Sequence, residues 1–548
     1  MQGTMQSAPL TLVQLFERAE RYYHDKTVAT AATGTGPDSV DRVAYGDWAV
    51  RTRRVGGVLD ALGISADGRV GTFAWNSARH LELYFAAPCS GRVLHTLNIR
   101  LFPEQVVYIV NHAEDEVVFV DRSLTALLWP LLAQCPTVRH VVVMDDGAGD
   151  DPGPAPEGVE VHDYEALVAA ASPVEFRVDD ELAAASMCYT SGTTGNPKGV
   201  AYTHRSTVLH TYGVLSANGL AVCERDVVLP VVPMFHANAW GLAHAAVAAG
   251  ASLVMPGRDL SAPAIAGLME GERVTLAAGV PTIWTAVLPE LKGRDVSSLR
   301  AIVCGGSAVP RALSEAYNAE IGQPILQAWG MTETSPLGSI CHITTSLAAS
   351  LDDEAKADLR ATIGLPVLGV DVRVVDPLGS LVPADGATSG ELQARGPWIA
   401  ASYYNDPRDD AFTPDGWLRT GDVATIDDHG YLRLVDRTKD VIKSGGEWIS
   451  SVDLENELMA HPAVLEAAVI GLAHPKWQER PLACVVLAPG ASASKEELLG
   501  FLADRVAKWW LPDDIVFIDE VPKTSVGKFS KKDLRDRFAD HPLPTVGA

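Results

Sequence analysis

The stretch YTSGTTGNPKG, Tyr189 to Gly199, gathers hydroxyls, glycines and a lysine within one short run. Thr190, Ser191, Thr193 and Thr194 offer hydroxyl donors, Gly192 and Gly195 let the backbone approach a ligand, and Lys198 supplies a cation. Backbone N–H groups, hydroxyls and an ammonium converging in this way suit a phosphate. A flexible linker has a similar composition. Here, however, an apolar strand-like lead, ELAAASMCY, precedes the run and GVAYTHRSTVLH resumes ordered structure after it. A Walker loop is excluded by spacing. It needs glycine, four residues and then Gly-Lys-Ser/Thr, but counting from Gly192 puts Pro197 at the second glycine and Gly199 after Lys198. Gly527-Lys528 fails too, because Pro522 stands where the first glycine belongs.

These residues need elements to hold them. Short apolar runs alternate with helical patterns along most of the chain, which predicts α/β layers. VVFV (117–120), VVVM (141–144), VVLPVVPMF (227–235), SLVM (252–255), VTLAAGV (274–280) and AIVCGG (301–306) read as strands, several leading into turns. The acidic Pro/Gly-rich segment at 144–158 reads as a surface loop. From about position 370, VDVRVVD, GELQARG and GYLRLVD alternate with period two, which predicts a half-exposed antiparallel region. After DRTKDVIKSGG (436–446) a smaller α+β unit follows. It has a helix capped by Ser450 or Ser451, strands VLEAAVIGL and LACVVLA, a helix near Lys495–Lys508 and a strand IVFIDEVP. The expected fold class is therefore α/β: a large N-terminal domain of layered sheets and helices with an antiparallel β subregion, plus a small mobile α+β C-terminal domain. The boundaries expected are 1–435, a hinge at 436–443, and 444–548.

At 548 residues the chain exceeds the size of a single core. With 44 Lys+Arg against 69 Asp+Glu the net charge is −25. That argues against nucleic acid or an anionic membrane as the main partner, and requires placed cations and amides for any polyanionic ligand. The 7 cysteines are scattered without a C-x-x-C pair, and read as core thiols of a reducing compartment. No transmembrane segment or targeting signal is read in the sequence, so a cytoplasmic location is expected.

The phosphate-loop stretch resembles the signature loop of the adenylate-forming superfamily, which includes acyl-CoA synthetases, peptide-synthetase adenylation domains and luciferases. PMFHANAW (233–240), CGGSAVP (304–310), QAWGMTET (327–334), WLRTGD (417–422), DRTKDVIKSGGEWI (436–449) and PKTSVGK (522–528) follow in the superfamily's order. WQERP and SGGEWISSVDLENEL are most similar to the branch of bacterial medium- and long-chain fatty acyl-CoA synthetases and methylthioalkanoate-CoA ligases. Asp436 and Gln478 depart from the glycines common at those places.

The resemblance implies an AMP-forming acid–thiol ligase. A carboxylic acid and ATP give an acyl-adenylate and pyrophosphate; CoA then displaces AMP. ATP, CoA and the acid are its implied partners, Mg²⁺ its cofactor, and a homodimer is suggested by analogy. Lys528 is implied to be the adenylation lysine, acting with His236 and Glu333, and Thr190 and Glu333 are implied to hold the metal. The nucleotide site implied comprises Thr190, Ser191, Gly192, Thr193, Thr194, Gly195, Lys198, Ser307, Gln327, Ala328, Trp329, Gly330, Thr332, Asp422, Arg437, Lys439, Lys443 and Trp448. Trp329 would stack on adenine and Asp422 would accept the ribose hydroxyls. The acyl and CoA site implied comprises His236, Ala237, Trp240, Gly305, Gly306, Ser444, Gly445 and Gly446, with Trp240 as an aromatic gate. The small domain would turn about Lys439 between the two half-reactions. A medium- or long-chain fatty acid is the expected substrate. A methylthioalkanoate or aryl acid, and loading of a separate carrier protein, stand as alternatives.

Overall fold

The computed structural model describes residues 1–32, 40–154, 156–190, 196–407, 410–445, 447–523 and 529–543. The large domain is built on two mainly parallel sheets. One has strand order Glu160–Asp163, His140–Met144, Asp115–Asp121, Arg69–Phe73, Val93–Thr96, Ala184–Tyr189, Gly199–Thr203. The other is nine-stranded, running from Leu365–Pro366 through Ile325–Gly330, Ala301–Cys304, Leu276–Gly279, Val227–Pro230 and Ser252–Met255 to an edge at Val40–Ala44. Helices fill the space between them. Leu12–Tyr22 shows why: Leu12, Leu15, Phe16 and Ala19 recur at helical spacing and are all buried against Trp48, Phe85 and the Ala-rich helix Leu242–Ala249.

The antiparallel region at Asp371–Val375, Gly390–Arg395, Leu418–Ile426 and Leu432–Arg437 forms a separate four-stranded sheet. The small domain carries a five-stranded sheet, with Val464–His474 and Gln478–Leu487 as its long hairpin. Ser450 caps helix Ser451–Met459 by accepting from the Asp453 N–H at 3.0 Å. Strand Leu432–Arg437 continues through Asp436 and Arg437, which pair with Val423 and Asp422. Those two residues, expected at the start of the hinge, therefore lie in the large domain's sheet. Among the described residues no helix is long and apolar enough to cross a membrane.

Some apolar runs yield shorter elements than their pattern predicts. The run 227–235 forms strand only at Val227–Pro230, and the helix expected to Lys508 ends at Ala503. The first shortening has a visible cause. Beyond Pro230 the regular ladder stops: the Val231 and Val232 N–H groups share the Ala278 carbonyl, and Asn76 takes up other backbone groups. The Asn76 Nδ2 donates to the Pro230 and Val232 carbonyls at 2.8 and 2.9 Å, and its Oδ1 accepts from the Met234 N–H at 2.7 Å. Asn76 follows strand Arg69–Phe73, so this buried side chain ties one sheet to the other just before His236. Asn76→Ala should lower stability by at least ~2 kcal/mol, since each buried backbone group left unpaired costs about 1–3 kcal/mol. An unchanged urea midpoint would show that the clamp is dispensable.

Candidate active site

A cavity of about 460 Å³ opens where the parallel strands of the nine-stranded sheet end. The chain leaves Pro230 towards His236, Gly279 towards Pro281, and Cys304 directly into Gly305 to Ala308, all of which line it. Carboxyl ends of strands in open α/β sheets leave such crevices because the following turns diverge. Thr190, Lys198, His236, Ala237, Trp240, Gly305, Gly306, Ser307, Gln327, Ala328, Trp329, Gly330, Thr332, Glu333, Asp422, Arg437 and Lys439 are brought together around this one space. Ser191, Gly192, Thr193, Thr194, Gly195, Gly446 and Lys528 lie outside the described residues.

The glycine-rich run is closed at its base. Strands Ala184–Tyr189 and Gly199–Thr203 pair antiparallel, and beyond them the Thr190 N–H donates to the Lys198 carbonyl at 2.9 Å while the Lys198 N–H donates to Thr190 Oγ1 at 3.1 Å. The Lys198 ammonium lies 4.4 Å from the centre of the Tyr403 ring. Tyr403 in turn donates its hydroxyl to Glu333 Oε1 at 2.6 Å. Burial, reinforced by that carboxylate, pushes the Tyr403 phenol above its usual pKa and keeps it a donor. Tyr403 has no place among the sequence motifs. It arrives through backbone pairing: the Tyr404 N–H donates to the Gly199 carbonyl and the Ala400 N–H to the Glu333 carbonyl, both at 2.8 Å.

At the other end of the cavity the Asp422 carboxylate is buried, only 3% exposed. Its Oδ1 lies 2.7 Å from Arg437 Nε, and its Oδ2 accepts from the Trp329 indole N–H at 2.8 Å. Trp329 is thus held edge-on by Asp422, and its ring lies so close to Gly338 that an added Cβ there would stand 2.4 Å from it. Gln327 presents a buried Oε1 with no hydrogen-bond partner among the described residues, an acceptor that a ligand N–H could satisfy. Lys439 also lines the space, and burial lowers its pKa.

The cavity wall around Trp240 is made by strained backbone. Ala237, Asn238, Ala239 and Trp240 all have positive φ, at 43°, 52°, 49° and 57°. Each such non-glycine residue costs about 1–2 kcal/mol. Asn238 anchors the turn: its Nδ2 donates to Ser186 Oγ at 3.1 Å, and its Oδ1 accepts from Cys188 Sγ at 3.4 Å. Gly241 continues it at φ 77°, with the His210 ring where a Cβ would fall. The turn lays Trp240 beside Gly305, where a Cβ would lie 3.4 Å from the indole and 2.7 Å from the Ala328 carbonyl.

Comparison with known proteins matches this arrangement over nearly the whole chain. The family model described as AMP-binding enzyme matches residues 15–404, and its C-terminal domain matches residues 453–528. The chain belongs to the AMP-binding enzyme family. It is 47% identical to a long-chain-fatty-acid–CoA ligase of Thermus thermophilus, covering 98% of this chain and 97% of that one. It is 44% identical to 3-methylmercaptopropionyl-CoA ligase of Ruegeria lacuscaerulensis, covering 98% and 99%. Among solved structures, the anthranilate CoA ligase AuaEII in complex with anthranoyl-AMP superposes with a TM-score of 0.85 at 26% identity, covering 98% and 99%.

In this AMP-binding enzyme the small domain contributes residues that sequence reading did not single out. Glu455, Asn456, Met459, Phe529 and Lys531 line the cavity. Burial raises the Glu455 pKa to about 7 against the opposing effect of Lys531, whose Nζ lies 2.7 Å from its Oε1. Asp436 accepts from the Ser451 N–H at 2.9 Å, tying the end of the antiparallel sheet to that domain. Lys443, Ser444, Gly445 and Trp448 are not in the cavity. Lys443 and Trp448 pair across a short hairpin, and the Gly445 N–H donates to the Trp477 carbonyl. Tyr403→Phe should cut adenylate formation at least about tenfold, because a hydrogen bond to a charged group contributes about 1.5–3 kcal/mol. Wild-type pyrophosphate release from this variant would remove Tyr403 from the machinery.

Proposed function

We propose that this AMP-binding enzyme activates a medium- or long-chain fatty acid. The reaction class is coarser: the chain is an acid–thiol ligase of the AMP-forming acyl-CoA synthetase type, with ATP, a carboxylic acid and CoA as substrates. A carboxylate oxygen attacks the α-phosphorus of ATP, the bond to the bridging oxygen breaks and pyrophosphate leaves. The CoA thiol then attacks the acyl carbon and AMP departs. Both steps load charge onto phosphate oxygens, so oriented donors carry the catalysis.

In this reading the Thr190–Gly195 run and Lys198 surround the outer phosphates, Asp422 with Arg437 takes the ribose, and Gln327 takes an adenine N–H. Glu333 and Thr190 face one space with hard oxygen donors, a set that fits Mg²⁺, which would neutralise the phosphates. Tyr403 fixes the Glu333 carboxylate by donating to its Oε1. Lys528 would reach the carboxylate and α-phosphate; its chain neighbour Phe529 already lines the cavity. Lys443 to Gly446 would enter only after the small domain turns about Lys439, for the thiol step.

The observation that carries the acid assignment is Trp240 laid beside Gly305, with Leu220, Ala237, Pro281 and Val303 as uncharged neighbours in the lining. Such a wall has no countercharge for a second carboxylate or an amine, and suits an alkyl chain. The Ruegeria relative favours a short thioether acid as the second reading. Pyrophosphate release, with and without CoA, should be measured for octanoate, palmitate, 3-methylmercaptopropionate and benzoate. The fatty acids should exceed the thioether acid by at least about tenfold in kcat/KM, because each further buried methylene contributes roughly 0.8 kcal/mol. Trp240→Ala should reorder the acids while leaving the ATP dependence near wild type. Preference for the thioether or aryl acid would overturn the assignment.

A further inference from the structure

At one edge of the seven-stranded sheet, opposite the strands Ala184–Tyr189 and Gly199–Thr203, two histidines and a glutamate meet. His140 begins the strand His140–Met144, and Glu160 and His162 lie on the adjoining edge strand Glu160–Asp163. The parallel register sets His140 beside Glu160 and Val142 beside His162. Residues two apart on a strand share a face, so all three side chains emerge on the same side of the sheet. Their donor atoms converge: His140 Nδ1 is 3.3 Å from His162 Nε2 and 3.4 Å from Glu160 Oε2, and His162 Nε2 is 3.7 Å from that same oxygen.

These separations fit a particular polyhedron. Ligands bound at 2.0–2.1 Å around tetrahedral zinc stand about 3.3–3.4 Å apart. The three atoms therefore form one face of a tetrahedron with edges near that length. Both histidines are mostly covered, while Glu160 is 71% exposed, leaving the fourth position towards solvent. Two imidazoles and one carboxylate are a common zinc donor set. Among the described residues this is the one group of histidine, cysteine and carboxylate side chains with such convergence.

We propose that His140, Glu160 and His162 form a zinc site that clamps the edge strand to its neighbour. The site is separate from the reaction. The edge strand and strand Ala184–Tyr189, which leads into the phosphate loop, are five places apart in the sheet. At 4.7–4.9 Å per strand that is about 24 Å. The clamp also accounts for a strand of four residues, none of them fully buried, keeping its register after the acidic loop.

Untagged full-length protein loaded with Zn²⁺ and passed through gel filtration should retain one zinc per chain. Co²⁺ should give the visible absorption of a tetrahedral site. His162→Ala should lose both signals, and Glu160→Gln, a change at an exposed side chain that spares the fold, should retain less zinc. Zn²⁺ should raise the melting temperature of the wild type and not that of His162→Ala, because only the folded state holds the three donors together. Ligase activity should be the same in all three proteins. Equal zinc retention by wild type and both variants, or none by the wild type, would overturn the proposal and leave only a hydrogen-bonded histidine pair.

Discussion

A charge taken out of water must be met by partners, and the buried Asp422 carboxylate sets the terms for its surroundings. Arg437 meets one oxygen and the Trp329 indole the other. The three come from separate strands: Asp422 and Arg437 face each other across the antiparallel sheet, while Trp329 ends a strand of the nine-stranded sheet. A hydrogen bond to a charged group contributes about 1.5–3 kcal/mol, so the Trp329–Asp422 contact holds these two sheets in one relation through a group that also lines the cavity. The link continues past Arg437. Its neighbour Asp436 accepts from Ser451 of the small domain, whose Glu455 and Lys531 pair in the same wall.

The opposite end of the cavity depends on backbone held against its own preference. Four successive left-handed residues would not persist in a free chain. They persist here because Asn238 has partners on the neighbouring sheet and because Asn76 fixes the approach from Pro230. The strain places Trp240 beside Gly305, where the Ala328 carbonyl, 2.7 Å from where a Cβ would stand, leaves no room for a side chain. Strain of this kind collects at functional sites, and it turns an ordinary apolar motif into a shaped wall.

Sequence alone reached the residues whose types carry chemistry in a local run. Thr190, Lys198, His236, Glu333 and Asp422 each sit in a short motif, and they meet in one cavity. It also reached the layers, since period-two and helical patterns survive as strands and helices. It missed Tyr403, Asn76 and Glu455, whose roles come from partners 70, 154 to 158 and 76 residues away. No local pattern encodes such meetings. Trp329 was legible as a flat ring but not as a donor to Asp422, because the acceptor lies 93 residues on. The run 227–235 misled because apolar content persists where backbone pairing stops.

The proposed nucleotide site turns on Trp329 holding the Asp422 carboxylate in place. A double-mutant cycle decides this. ATP affinity would be measured by calorimetry for the wild type, Trp329→Phe, Asp422→Ala and the double variant, since phenylalanine keeps a flat ring and removes the N–H. If the indole works by holding the carboxylate, Trp329→Phe weakens binding in the wild type but costs little once Asp422 is gone, giving a coupling of about 1 kcal/mol or more. Additivity to within about 0.3–0.5 kcal/mol would contradict the account and leave the two residues as independent contacts.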